Sequence, residues 1–311
     1  MGIKNVVVAG GGVLGSQIAF QSAYKGCNVK VWLRSEGSID RAKPKFERLK
    51  GIYLNTLEAM KTNPAAYCRG LAPKDVTPEQ IDALKAQVEA AYEGLVLTTS
   101  YEEAAADADL VIECIAEEPK QKVAFYTELA KHLPEETIVV TNSSTMLPSA
   151  FAQYTGRPGK YLALHFANEI WRNNTAEVMG HAGTDPAAYD AVVAFAEQIG
   201  MIPLKLHKEQ PGYILNSMLV PFLSAAEALL ANEVADVETI DKTWQLATGA
   251  PIGPFRILDV VGLTTAYNIG MLDPRAADPA TVQGKVAAML KRYIDEGKTG
   301  INAGEGFYKY R

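Results

Sequence analysis

The segment Gly10-Gly11-Gly12-Val13-Leu14-Gly15 fits the spacing G-x-G-x-x-G, with a β-branched run before it and an apolar helical pattern after it. At that spacing Gly10 allows a tight turn, Gly12 lets the backbone approach a pyrophosphate, and Gly15 lets helix and strand pack closely. Val13 and Leu14 open the helix, whose first N–H groups and positive dipole end would face the phosphates. A dinucleotide site is expected. NAD sites carry a carboxylate at the end of the second strand to bind the ribose 2′-hydroxyl. Here Leu33-Arg34-Ser35 stand at that place. Arg34 can pair with a 2′-phosphate and Ser35 can donate to it, which favours NADP over NAD. The alternatives are an Arg34 stacked on adenine or left in solvent, and a Glu36 that swings in to serve NAD.

The chain has four histidines. His132 falls at an expected helix end, where an imidazole meets the dipole favourably, and His181 and His207 follow strands without a partner motif. His165 closes an apolar strand pattern, Tyr161 to Leu164, at the sheet edge where doubly wound folds bind ligands. Oxidising a secondary alcohol by hydride transfer needs a base for the hydroxyl proton, and histidine titrates in the right range. A carboxylate on its other ring nitrogen would fix the tautomer and stabilise the imidazolium. Glu177, on the next strand pattern, is placed to do so. Ser144 and Asn216 offer neutral donors for a substrate oxygen. The residues alone also admit blander readings: a satisfied core histidine, a polar turn at Asn142 and Ser144 that caps a helix, and a solvent-facing Glu177.

The elements that must position these groups alternate through the first 208 residues. Short β-branched runs at 5–9, 29–33, 95–98, 109–112, 137–140, 161–164, 177–179 and 202–206 are separated by helical patterns. Continuous apolar runs of this kind suit a doubly wound sheet covered on both faces. Residues 41–92 are helical and too long for a simple crossover; they are expected as a helical hairpin protruding between the second and third strands. Strand signals end at Pro211. The expected fold class is therefore α/β: a Rossmann-type domain over 1–208 and an all-helical domain over 209–311, for substrate and dimerisation. The net charge of −6 gives no support for a nucleic-acid or membrane surface, and no apolar stretch is long enough for a membrane helix. Three scattered cysteines argue against disulfides and against a zinc site. With the run Met1-Gly2-Ile3-Lys4 leading straight into a strand pattern, this points to the cytoplasm.

Several motifs occur together in order. His165-Phe166-Ala167-Asn168 resembles the His-Phe-x-Asn motif of the 3-hydroxyacyl-CoA dehydrogenase family, and Glu177 stands at the spacing of that family's catalytic glutamate. Asn142-Ser143-Ser144-Thr145 is similar to its Asn-Thr-Ser-Ser segment, and Gly212-Tyr213-Ile214-Leu215-Asn216 to its Gly-Phe-Ile-x-Asn motif. Pro251-Ile252-Gly253-Pro254-Phe255, with Leu258-Asp259 and Val261-Gly262-Leu263, resembles its Pro-x-Gly-Pro-Phe segment. Gly304 to Tyr310 matches its closing signature. The resemblance implies an acid/base at His165, an orienting Glu177, and substrate or catalytic-site contacts at Ser144 and Asn216. It also implies cofactor contacts at Glu117, Lys122 and Asn142, a short-chain (S)-3-hydroxyacyl-CoA as substrate, a homodimer and a place in fatty-acid metabolism. A solvated charged helix start remains the alternative for Glu117 and Lys122.

The pattern departs after Asn168. The family continues with proline and an apolar stretch, whereas this chain has Glu169-Ile170-Trp171-Arg172-Asn173-Asn174-Thr175-Ala176. An unusual or short acyl group is expected, with Arg172 either meeting a substrate anion or lying exposed. The hairpin lysines Lys43, Lys45, Lys50 and Lys61 match no CoA-contacting position of the family. Two further readings stay open: a dehydrogenase of a free hydroxy acid of the gulonate or carnitine type, and a dinucleotide-binding protein without turnover.

Overall fold

The computed structural model describes residues 2–310; the expectations resting on Met1 and on the outer limit Arg311 fall outside it. The chain divides into two compact units, with the division in sequence between Ile214 and Leu215.

The first unit is built on an eight-stranded sheet of order β3-β2-β1-β4-β5-β6-β7-β8. Its strands are β1 (Asn5–Ala9), β2 (Asn28–Trp32), β3 (Val96–Thr98), β4 (Leu110–Glu113), β5 (Ile138–Thr141), β6 (Tyr161–Phe166), β7 (Thr175–Met179) and β8 (Ile202–Leu206). Most lie within a residue or two of the runs read from sequence. The first six strands are parallel, and β7 runs antiparallel to β6. Only residues 167–174 join those two strands, too few for the crossover that a parallel return needs. Helix α1 (Val13–Tyr24) follows the glycine loop and is buried along most of its length.

The hairpin is formed by α2 (Glu36–Met60) and α3 (Pro78–Glu93). It starts five residues before the expected 41, and its root does not protrude. Ile39, Ala42, Phe46, Leu49, Tyr53 and Leu57 recur at helical spacing and enter the same core as α1. The Tyr53 hydroxyl donates to Gln21 at 2.7 Å, and the Tyr24 hydroxyl to the Leu71 carbonyl at 2.9 Å. Helices α4 (Tyr101–Ala105), α5 (Pro119–Leu129) and α6 (Pro186–Gln198) complete the unit.

The second unit holds α7 (Leu215–Ala231), α8 (Val237–Thr248), α9 (Pro254–Val261), α10 (Leu263–Gly270) and α11 (Val282–Asp295) around Leu223, Phe255, Leu258, Leu263 and Leu290. Two buried aspartates explain its motifs. Asp241 accepts from the Phe255 and Arg256 N–H groups at the start of α9, at 2.8 and 3.2 Å. Asp259 accepts from the Phe307 and Tyr308 N–H groups and the Tyr310 hydroxyl, pinning the closing segment.

Candidate active site

His165 and Glu177 are direct cross-strand partners in the antiparallel β6–β7 pair, so both side chains lie on one face. His165 Nδ1 lies 2.9 Å from Glu177 Oε2, and both residues are buried. A carboxylate only accepts, so Nδ1 carries the proton and Nε2 of the neutral ring is the acceptor. Ser144 Oγ lies 3.2 Å from that Nε2. Glu177 Oε1 accepts from the Ile214 N–H at 2.9 Å. The Tyr213 ring stacks on His165, with centroids 4.4 Å apart at 18°, and its hydroxyl donates to the Ser143 carbonyl at 2.8 Å. Burial raises the Tyr213 phenol well above its usual range, with the Glu177 carboxylate adding to the effect; it stays protonated as a donor.

Ser144 sits just past the end of β5, and Glu117 holds its turn. Glu117 Oε1 accepts from the Ser144 N–H at 2.9 Å, and Oε2 from the Ser143 hydroxyl at 2.8 Å. Asn142 Oδ1 accepts from the Phe166 N–H at 3.0 Å, tying this turn to the end of the His165 strand. Lys122 turns inward and is 1 % exposed, with its ammonium 2.7 and 2.8 Å from the two Glu113 oxygens and 3.6 Å from Glu117. Glu113 is wholly buried and also accepts from the Ile115 N–H and the Tyr126 and Thr141 hydroxyls. Sequence reasoning missed this network and Tyr213. A lone carboxylate in the apolar run Leu110 to Ile115 was the available signal, since a buried charge requires a partner; for Tyr213 the signal was the aromatic position of the Gly212 to Asn216 motif.

The dinucleotide loop fits its ligand class. Gly10 has φ +118°, which favours glycine. A Cβ on Gly15 would run into the Gly10 carbonyl oxygen, whereas one on Gly12 would meet nothing within 4 Å. The bare backbone at Gly12 therefore faces open space at the start of α1, as a pyrophosphate cradle requires. Val13 is exposed beside it and Leu14 half-buried. Arg34 and Ser35 are exposed at the end of β2, and Arg34 reaches Gln121 only at 3.5 Å. Asn216 is the second residue of α7, in the helical unit.

The segment after Asn168 is a packed turn. Glu169 has φ +57°, which proline cannot adopt; this accounts for the departure there. Gln17 of α1 accepts from the Glu169 and Ile170 N–H groups at 2.9 and 3.4 Å. Ile170, Trp171 and Asn174 face inward. The Trp171 carbonyl accepts from the Gly70 N–H at 3.0 Å, and Arg69 Nε donates to Asn174 Oδ1 at 2.6 Å. Arg172 is exposed.

Among the described residues no cluster suits a metal ion and no helix is long and apolar enough to cross a membrane. Residues 5–210 match the family description 3-hydroxyacyl-CoA dehydrogenase, NAD binding domain, and residues 212–310 its C-terminal domain. A probable 3-hydroxyacyl-CoA dehydrogenase of Caenorhabditis elegans is 30% identical over 309 residues, covering 99% of this chain and 93% of that protein. The mitochondrial hydroxyacyl-coenzyme A dehydrogenase of Rattus norvegicus is 32% identical over 310 residues, covering 99% and 92%. A diketoreductase structure, described for dual catalysis of dicarbonyl compounds, shares 47% identity with TM-score 0.86 over 100% of both chains. The (S)-3-hydroxybutyryl-CoA dehydrogenase of Ralstonia eutropha shares 25% identity with TM-score 0.78 over 99% of each. The chain belongs to the 3-hydroxyacyl-CoA dehydrogenase family and is an oxidoreductase of that class.

Proposed function

We propose that the protein interconverts a short-chain (S)-3-hydroxyacyl-CoA and its 3-oxoacyl-CoA, with His165 as acid/base and Glu177 as its orienting partner. The observation that carries this reading is the Ser144–His165–Glu177 line, with spacings of 3.2 and 2.9 Å. When bound, the nicotinamide ring supplies or accepts the hydride. In oxidation His165 Nε2 takes the hydroxyl proton, and the imidazolium is stabilised through Nδ1 by Glu177. In reduction His165 returns the proton, and the Ser144 hydroxyl donates to the carbonyl oxygen. Asn216 is assigned as a further substrate contact from its motif.

Gly10, Gly12, Val13, Leu14 and Gly15 hold the pyrophosphate end of the dinucleotide. Glu117, Asn142 and Lys122 serve the nicotinamide end, and the burial of Lys122 favours action through Glu117. Arg34 and Ser35 favour NADP over NAD. A homodimer through the helical unit suits its exposed apolar side chains, among them Met218, Leu246 and Leu272. A cytoplasmic location suits three unbridged cysteines.

A second reading, a free dicarbonyl or hydroxy acid as substrate, is favoured by the diketoreductase relative and by the polar 168–174 turn. Steady-state kinetics with acetoacetyl-CoA, free diketo acids and free hydroxy acids, each with both cofactors, decides between them. The thioester is expected to give the highest kcat/KM with NADPH. A larger kcat/KM on a free acid would replace the first reading by the second.

A further inference from the structure

We propose that the first turns of α2 supply a second set of contacts for the 2′-phosphate of NADP, from Ser38 and Arg41, beyond Arg34 and Ser35. The inference rests on the NADP reading above and extends it to residues that no motif marks.

Part of α2 lies directly against the glycine loop. A Cβ on Gly11 would come within 2.9 Å of both Ala42 Cβ and Leu33 Cδ2. Lys45 Nζ donates to the Gly11 carbonyl at 2.7 Å. Ser38, Arg41 and Lys45 are spaced by three and four residues, so they share one side of the helix. That row runs from the glycine loop back to the helix start, where Arg34 and Ser35 stand at the end of β2. In dinucleotide folds this corner receives the adenosine ribose.

The side chains there already converge on one another. Ser35 Oγ and Ser38 Oγ are 3.0 Å apart, and Arg41 Nη2 donates to Ser38 Oγ at 2.8 Å. Ser35 precedes α2 without capping it through its side chain, so its hydroxyl belongs to this cluster. The carboxylates of the same turn have other partners. Glu36 Oε1 accepts from the Thr99 hydroxyl at 3.2 Å, and Asp40 lies 3.8 Å from Lys43 Nζ. The result is two guanidinium groups and two hydroxyls within a few residues of the strand end. A phosphate dianion matches such fork donors and can replace the bonds the cluster makes with itself. A bare 2′-hydroxyl carries no charge for Arg41 to meet, so NAD gains little from the same groups.

The test is calorimetric titration of the full chain with adenosine 2′,5′-bisphosphate and with 5′-AMP, alongside KM values for NADPH and NADH. Wild type, Arg34→Ala, Ser38→Ala, Arg41→Ala and Arg41→Lys are compared. One lost hydrogen bond to a charged group corresponds to roughly a tenfold effect or more. Arg41→Ala is therefore expected to weaken the bisphosphate and raise KM for NADPH by about that factor, with 5′-AMP and NADH unchanged. Ser38→Ala should do the same to a smaller extent, and Arg41→Lys should recover part of the loss. Arg41 is exposed, so its removal leaves the fold intact. If wild type does not distinguish the bisphosphate from 5′-AMP, the NADP reading itself fails. If it does distinguish them through Arg34 while Arg41→Ala and Ser38→Ala bind normally, this inference alone is overturned.

Discussion

Replacing Glu177 by glutamine keeps the shape of the dyad but removes its negative charge and turns one acceptor into a donor. Two contacts of the carboxylate are with donors: His165 Nδ1–H on Oε2 and the Ile214 N–H on Oε1. A glutamine offers one acceptor and one donor end. If its oxygen stays on the Ile214 N–H, its NH2 faces Nδ1 and moves the ring proton to Nε2. The ring then cannot take the substrate proton. If the amide flips, Nδ1–H is satisfied but two donors meet at Ile214, at a cost of about 1–3 kcal/mol. In either orientation the negative charge that stabilises the imidazolium is gone, which removes a charge-assisted bond of about 1.5–3 kcal/mol. The sum corresponds to a fall in kcat of roughly 10² to 10⁴. The assay is steady-state reduction of acetoacetyl-CoA, with dinucleotide affinity measured separately by fluorescence titration. Affinity should stay near wild type, because the glycine loop is untouched. A kcat within a few-fold of wild type would refute the reasoning from geometry to tautomer.

Other perturbations probe the scaffold. Glu113→Gln strands the buried Lys122 ammonium, which should cost about 3–5 kcal/mol in urea unfolding; adding Lys122→Met should restore much of that, and additive losses would contradict the pairing. Glu227 of α7 is buried with Oε1 lacking a hydrogen-bond partner among the described residues, and burial raises its carboxyl to about 7. Its unfolded form ionises first, so wild-type stability should fall as pH rises from the ordinary carboxylate range to about 7, then level off. Glu227→Leu should remove that slope, worth roughly 3 kcal/mol above pH 7; a gain equally large at pH 4 would count against it. Gly15→Ala forces a methyl into the Gly10 carbonyl oxygen, and dinucleotide binding should be lost; wild-type affinity in that variant would show that the loop has another geometry.

Periodic and local signals were readable without coordinates. The β-branched runs placed the strands, and the spacing of Gly10, Gly12 and Gly15 placed the loop, because both depend on backbone geometry over a few residues. His165 and Glu177 were found as residue types on successive strands, but their direct pairing follows from the antiparallel turn. The eight-residue connection at 167–174 carried that information. Groups whose role depends on which way a side chain turns were not readable. Lys122 looks from sequence like a surface cation and is in fact enclosed by Glu113. Trp171 and Asn174 look like a polar substrate loop, yet both pack inward beside the hairpin bend. Asp241 and Asp259 sit close to motifs shared with the family, and their visible work is to hold helix α9 and the closing segment in place.

The pairing of His165 and Glu177 across a strand ladder also has a consequence for how the site fails. Side chains gathered from loops separate when the loops open, but these two are fixed by main-chain bonds in the interior of the sheet. During partial unfolding or heating, local openings arise first where backbone is least buried. Cofactor contacts drawn from the exposed start of α2 should therefore be lost before the dyad comes apart. In hydrogen exchange, the amides of β6 and β7 around His165 and Glu177 should be among the slowest in the first unit, and heat-inactivated protein that has not yet unfolded globally should keep an intact dyad with nothing left to present to it.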